Sequence, residues 1–396
     1  MNPYTPCGVR VFILMEFIMN VKEFTKQNID EFYKTLKELC LIPAPSHHEE
    51  KRAEYCKNWL EANGAKGVYV DEALNVVFPI NVDGSNELTV FEAHTDTVFP
   101  DMEPLPYRED DERIYCPAVG DDTESLTALL YTAKYYIENN IVPEKGVLFV
   151  CNSCEEGLGN LKGTRQIFKD YEGRISQFVT YDSSSLSKIT TDCVGSHRYE
   201  VTVKTPGGHS FGKFGNKNAL AELSKIVANM YEIQVPLKDG TKTTYNVGSI
   251  EGGTSINTIA QEAKMLCEYR STEYEYLGIM KEKFAEIFEA ARADDVEVIV
   301  NLLGDRPCSN IDPKLQNKLV EKCAAVYKAY GTEEVLYDSG STDCNIPLSL
   351  GVPAVALGTY NGFGAHTREE YVEKSSIEIG FERTIALCLA LTTEDK

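Results

Sequence analysis

The 396-residue chain predicts an α/β protein in which one domain is carried as an insertion inside another. Three observations predict it. Short apolar runs alternate with helical periodicity as far as residue 182. Near residue 195 the order changes to strand–helix–strand–strand–helix–strand. After about residue 306 the helix–strand alternation of the first part returns. Apolar residues make up 43% and charged residues 25%, so a chain of this length can bury a full core. Disorder and a disulfide-stapled mini-fold are thereby excluded.

The elements follow in order. VFILMEFIM (11–19) is too short to span a bilayer and is broken by Glu16. Only Arg10 precedes it and no small-residue cleavage site follows, so 1–18 reads as an N-terminal extension, with an extra strand or helix as alternatives. Ile29, Phe32, Tyr33, Leu36, Leu39 and Cys40 fall at helical spacing, and IPAPS ends that helix. Ser46 and Glu49 have the spacing of a capping box before a helix that carries Ala53, Cys56, Trp59 and Leu60 and stops at Gly64. ELTVFEA (87–93), GVLFVCN (146–152) and FVTYD (178–182) read as buried strands. Leu126, Leu129, Leu130, Ala133, Tyr136 and Ile137 mark the helix between the first two. This implies an α/β domain with a mostly parallel, helix-flanked sheet.

HRYEVTVKT, a helix at 218–231, TTYNVGS, AKMLCEYRS, a helix at 273–292 and VEVIVNLL then have the order of a ferredoxin-like α+β domain. A helix at 313–330, the strand VPAVAL (352–357) and a helix at 374–391 complete the first domain. The expected boundaries are 1–18, 19–195, 196–305 and 306–396.

The formal charge is −22, which repels phosphate backbones and anionic lipid and argues against nucleic-acid or membrane-surface partners. The twelve cysteines show no compact framework spacing and read as reduced thiols. The close pair Cys151 and Cys154 lacks a second CxxC to make a four-cysteine zinc site. No run is long enough for a transmembrane helix, so the expected location is the cytoplasm.

The chemistry sits in loops. His94 follows ELTVFEA directly, at the carboxyl edge where α/β sheets place ligands, and Asp96 is spaced to hold its imidazole. A plain turn histidine is the competing reading. In VGDDTES one aspartate complements a helix dipole and the other is available to a cation. Glu155 and Glu156 follow GVLFVCN; such a pair suits one ligand beside one proton carrier, though an exposed loop pair is as common. Asp182 ends another strand, and His366 lies in a Gly-rich loop after VPAVAL. Five strand ends on one sheet thus offer His, Asp, Glu, Asp and His plus a spare Glu. That N/O set suits zinc, and carboxylate bridging suits a two-metal site.

Together IPAPS-HHE, AHTDTV, GDDTES, EEGLGNLKG, YDSS, GGHSFGKFGNKNA, GGTSINTIA, EYRS, GSTDCN and AHTREEY, in this order, resemble the co-catalytic zinc metallopeptidase family. That family includes peptidase T, carboxypeptidase G, acetylornithine deacetylase and succinyl-diaminopimelate desuccinylase. The resemblance covers roughly 20–392 and leans towards the peptidase T-like members. It implies that His94 and Asp182 bind one metal, that Glu156 and His366 bind the other, and that Asp121 bridges both, often with a non-proline cis peptide after it. It further implies that Asp96 orients His94 and that Glu155 is the general base. The inserted domain would be a lid and dimerisation domain, whose His209 stabilises an oxyanion, often from the partner subunit. Asn257 and Arg270 are the candidates for gripping a substrate carboxylate, a structural salt bridge being nearly as good a reading of Arg270.

One departure stands out: DDTES lacks the Lys and Gly that follow the paired acids in many members. The third ligand, Asp182 rather than Glu, resembles the peptidase T and deacetylase side of the family more than the carboxypeptidase G side.

The implied activity is amide hydrolysis on a small peptide, by a di-/tripeptidase or aminopeptidase using two divalent metals. Zinc is favoured, with cobalt or manganese as alternatives. A deacylase of N-acyl amino acids is the alternative within enzymes, and a non-catalytic metal-binding homologue the alternative of another class. All five ligands and Glu155 are present, which favours the enzyme. The implied assembly is a homodimer.

Overall fold

The computed structural model describes the backbone of residues 7–392, with side chains from residue 19. Residues 1–6 of the expected extension lie outside the described residues. From Cys7 the backbone is helical and runs unbroken through Cys7–Cys40, so the helix begins well before the periodic positions that predicted it. The chain divides into two compact units. One consists of Met1–Thr191, Ile311–Asp338 and Thr342–Lys396, the other of Asp192–Asn310 and Ser339–Ser341.

The first unit is built on an eight-stranded sheet in the order Tyr69–Val70, Val76–Ile80, Gly146–Asn152, Leu88–His94, Ile175–Thr180, Ala354–Leu357, Lys188–Cys193, Leu336–Gly340. Its centre is parallel: Gly146–Asn152, Leu88–His94, Ile175–Thr180 and Ala354–Leu357 run the same way, while Val76–Ile80 and Lys188–Cys193 pair antiparallel at either side. Every residue of Leu88–His94 and Gly146–Asn152 is buried, as strands covered on both faces require. Helices Cys7–Cys40, Ser125–Glu138 and Lys374–Thr392 contribute Phe32, Tyr131 and Phe381 to one aromatic core, with the Phe32 and Phe381 rings 5.0 Å apart. No disulfide joins the described cysteines, all of which are buried. No helix among the described residues is long and apolar enough to cross a membrane.

Register sets up the functional edge. His94 pairs with Asn152 and Glu92 with Thr180, so the carboxyl ends of three parallel strands finish level with one another. The picture of five strand ends on one sheet needs correction, however. Asp121 lies in an irregular turn, Val119–Glu124, leading into the helix Ser125–Glu138. His366 lies between Gly362–Phe363 and Tyr371–Glu373, in a separate sheet with Arg113–Tyr115 and Arg108–Glu109. The capping-box reading is also corrected: the helix Glu50–Ala62 has no side-chain cap. The Ser46 hydroxyl donates to Asp96 Oδ2 at 2.7 Å instead, and Glu49 accepts the backbone N–H groups of His47 and Cys154.

The second unit has an antiparallel sheet ordered Thr243–Gly252, Glu262–Ser271, Gly195–Lys204, Glu297–Arg306, the ferredoxin-like arrangement. Strict alternation along Glu262–Ser271 buries Met265, Cys267 and Tyr269. These meet the apolar stripes of two helices, Leu223, Ile226 and Met230 of Ala219–Tyr231 and Met280, Phe284 and Phe288 of Tyr274–Ala290.

Candidate metal centre and active site

His94 is fully buried, and its Nδ1 lies 3.0 Å from the backbone carbonyl of Asp96. A carbonyl only accepts, so Nδ1 carries a proton. Nε2 faces Asp121 Oδ1 at 3.0 Å, a second acceptor. On the other side of Asp121, Oδ2 lies 3.2 Å from His366 Nε2, which is also 3.1 Å from Glu156 Oε1. Donor atoms of His94, Asp121 and Asp182 fall within 4.8 Å of one another, as do those of Asp121, Glu156 and His366, and those of His94, Glu155 and Glu156. Asp121 is common to the first two sets, and the peptide bond after it is cis.

The electrostatics call for cations. Burial, with the charges of Asp121 and Glu156, pushes Asp182 up to about 7. Burial raises Glu156 and raises Asp122 well above the ordinary carboxylate range. Burial would lower His94, but Asp122, Asp121 and Asp96 raise it well above a normal imidazole. His366 is pushed up to about 11 by its contacts with Asp121 and Glu156. Burial opposes ionisation of Asp121, yet the two histidines hold its pKa below normal. Buried carboxylates and paired imidazoles that each stabilise the charged form of the other fit a divalent-cation site.

Asp96 does more than face His94. Its Oδ1 is 3.4 Å from Nδ1, while its two oxygens accept the N–H groups of Glu155 at 3.0 Å and Glu156 at 2.9 Å. One buried carboxylate therefore ties the His94 strand end to the turn that carries both glutamates. Glu155 is buried beside them.

Several supporting residues were missed by sequence reasoning. Arg52, fully buried, donates to the carbonyls of Ile42 (2.9 Å) and Thr95 (3.0 Å) and to Thr123 Oγ1 (3.2 Å), bracing the loops on both sides of His94. Glu370 accepts backbone N–H groups around Asp121. Behind the strand, Thr164 Oγ1 bonds both Glu92 and Asp343, and Asn152 Nδ2 donates to Asp343 at 2.6 Å. Arg52 and Glu370 stand inside or beside recognisable motifs, but Thr95 and Thr123 lie 43 and 71 residues from Arg52, and the Glu370 donors lie 249–252 residues from Glu370, so only the fold discloses these bonds.

His209, Asn257 and Arg270 belong to the second unit. Gly208–His209 pairs antiparallel with Thr258–Ile259, and Ser210 N–H donates to the Asn257 carbonyl at 2.9 Å, so His209 and Asn257 share one loop cluster. The N–H groups of Phe211 and Gly212 both donate to His209 Nδ1 at 3.3 Å, which leaves the proton on Nε2 of an exposed ring. Arg270 is forked onto Glu268 at 2.9 and 3.0 Å, with Arg198 3.4 Å from the same carboxylate.

The profile of peptidase family M20/M25/M40 matches residues 90–390. Succinyl-diaminopimelate desuccinylase from Corynebacterium glutamicum is 24% identical over 334 residues, covering 83% of this chain and 88% of its own. Carboxypeptidase G2 from a Pseudomonas species is 25% identical over 315 residues, covering 76% and 73%. The crystal structure of a tripeptidase from Staphylococcus aureus superposes with a TM-score of 0.73 at 22% identity, over 91% of this chain and 98% of the other. With that match and its buried His–carboxylate cluster, the chain belongs to peptidase family M20/M25/M40, and is a metal-dependent amidohydrolase of that family.

Proposed function

We propose that the chain is a di- or tripeptidase, or an aminopeptidase on short peptides, working with two zinc ions. The observation that carries this reading is Asp121 standing between His94 at 3.0 Å and His366 at 3.2 Å, with Asp182 and Glu156 completing one donor set on each side. When bound, the metals would lower the pKa of water and polarise the scissile carbonyl. Glu155, fixed by its N–H to Asp96 and buried, is the residue that would take a proton from the attacking water and return it to the leaving amine. His209 donates from Nε2 to the developing oxyanion, a role its backbone-bonded Nδ1 pre-sets. Asn257 and Arg270 would hold the substrate carboxylate, Arg270 doing so by exchanging part of its pairing with Glu268.

A homodimer through the second unit is part of the same reading. Its edge strand Thr243–Gly252 is mostly exposed and carries Ile250 half-exposed, an unpaired rim that a second copy would cover. The reduced, unbridged cysteines support a cytoplasmic location.

An N-acyl-amino-acid deacylase is the second reading, favoured by the desuccinylase among the relatives. A hydrolysis screen with added zinc or cobalt separates the two. Free di- and tripeptides should be cleaved and N-acetyl or N-succinyl amino acids left; cleavage of the acylated set alone would reverse the choice.

A further inference from the structure

Glu370 is 2% exposed and was given no part in the chemistry above. Its Oε2 accepts the N–H of Ala118 at 2.7 Å, and its Oε1 accepts those of Gly120 at 2.9 Å and Asp121 at 2.8 Å. Three main-chain donors thus converge on one carboxylate. They belong to a segment that no regular ladder holds: Ala118 is left-handed at φ +62°, and the next residues turn irregularly into the helix Ser125–Glu138. Gly120 sits so close to Tyr360 that an added Cβ would lie 2.4 Å from the phenol oxygen, so the turn has no side-chain packing of its own at that point.

Glu370 also lies four residues beyond His366, on the loop that brings His366 within 3.2 Å of Asp121. The same carboxylate therefore joins the backbone of a shared ligand to the loop of a second ligand. We infer that Glu370 is a positioning residue for the two-metal centre: it fixes the Asp121 turn against the His366 loop so that Asp121 can face both cation positions at once. This rests on the two-metal reading of the site. Substituting Gln keeps one acceptor oxygen but turns an amide NH2 towards a backbone N–H that has lost its partner. Ala removes both acceptor oxygens and leaves all three N–H groups without their partner.

The test compares full-length wild type, Glu370→Gln, Glu370→Ala and Ile385→Val. The last is a fully buried helix residue remote in sequence from every site residue, and serves as a control for general destabilisation. Zinc affinity is measured by competition with a chelating dye, the ligand field by the visible spectrum of cobalt-loaded protein, and folding by the melting temperature of metal-free protein. Zinc affinity should fall by about 10–100-fold in Glu370→Ala and by less in Glu370→Gln. The cobalt spectrum should change in both, and kcat should fall more than KM moves. Ile385→Val should lower the melting temperature and leave zinc affinity and spectrum alone. If Glu370→Ala does not fold, Glu370→Gln decides. Wild-type affinity and spectrum in Glu370→Gln, or an equal loss in Ile385→Val, would overturn the inference. A wild-type protein that binds no metal would instead remove the two-metal reading beneath it.

Discussion

The different duties proposed for two adjacent glutamates rest on what their neighbours do. Asp96 accepts the N–H of both Glu155 and Glu156, so their backbones are equally fixed. Their partners then differ: both glutamates group with His94, but only Glu156 also meets His366, at 3.1 Å, in the set that holds Asp121. Asp96 therefore earns its place as an acceptor as much as an imidazole partner. An Asp96→Asn substitution would set an amide NH2 against a backbone N–H, and activity should fall by roughly 10–100-fold with metal affinity, read by zinc titration beside turnover. Unchanged zinc affinity would show that the turn holds itself. At this scale the sequence was legible wherever a chemical residue type interrupts an apolar run, as at His94 and Glu155–Glu156. It was not legible for Arg52 or Glu370, whose importance lies in carbonyls and N–H groups supplied by distant segments. Ser46 misled for the same reason: its capping spacing is local, while its partner Asp96 is fifty residues away.

At the scale of elements, the parallel strands explain why the site lies where it does, since their shared register ends three of them level. Buried strands announce themselves in sequence as unbroken apolar runs, and helices by their stripes, so most elements were found. The irregular turn before Ser125–Glu138 was not, because it has no period. Its last residue, Glu124, is fully buried beside Thr359, whose hydroxyl donates to it, and burial raises its carboxyl to about 8 from an ordinary 4.5. The folded state therefore binds a proton that the unfolded state releases. Between pH 4.5 and 8 this group costs the fold progressively more stability as pH rises, and the full cost is present above 8. Glu124→Gln keeps an acceptor for Thr359 and removes that dependence. It should stabilise the protein by about 1–3 kcal/mol at pH 8.5 and negligibly at pH 4.5, measured by denaturant unfolding at both values. A gain independent of pH would contradict the buried-carboxyl account.

For the molecule as a whole, the insertion was visible as a change of rhythm, from helix–strand alternation to a ferredoxin-like order and back. The formal charge of −22 argued against nucleic acid but did not show where the acids gather. Asp96, Asp121, Asp122, Glu155, Glu156 and Asp182 turn out to lie in loops at one edge of the first unit, where cations are needed, and most of the rest are solvated. If the dimer supplies His209 across subunits, His209→Ala should lose about 10²–10³ in kcat while keeping its metals. Mixing it with inactive Glu155→Gln should then restore part of the turnover through hybrid dimers; no recovery after subunit exchange would place His209 in its own subunit's reaction or outside it.

The division of labour between the adjacent glutamates is the central claim, and bound metal measured beside peptide turnover in Glu155→Gln and Glu156→Gln tests it most directly. The account predicts two metals and turnover reduced by at least about 10²–10⁴ in Glu155→Gln, with metal lost in Glu156→Gln. Metal lost from Glu155→Gln, or turnover retained by it, would contradict the account.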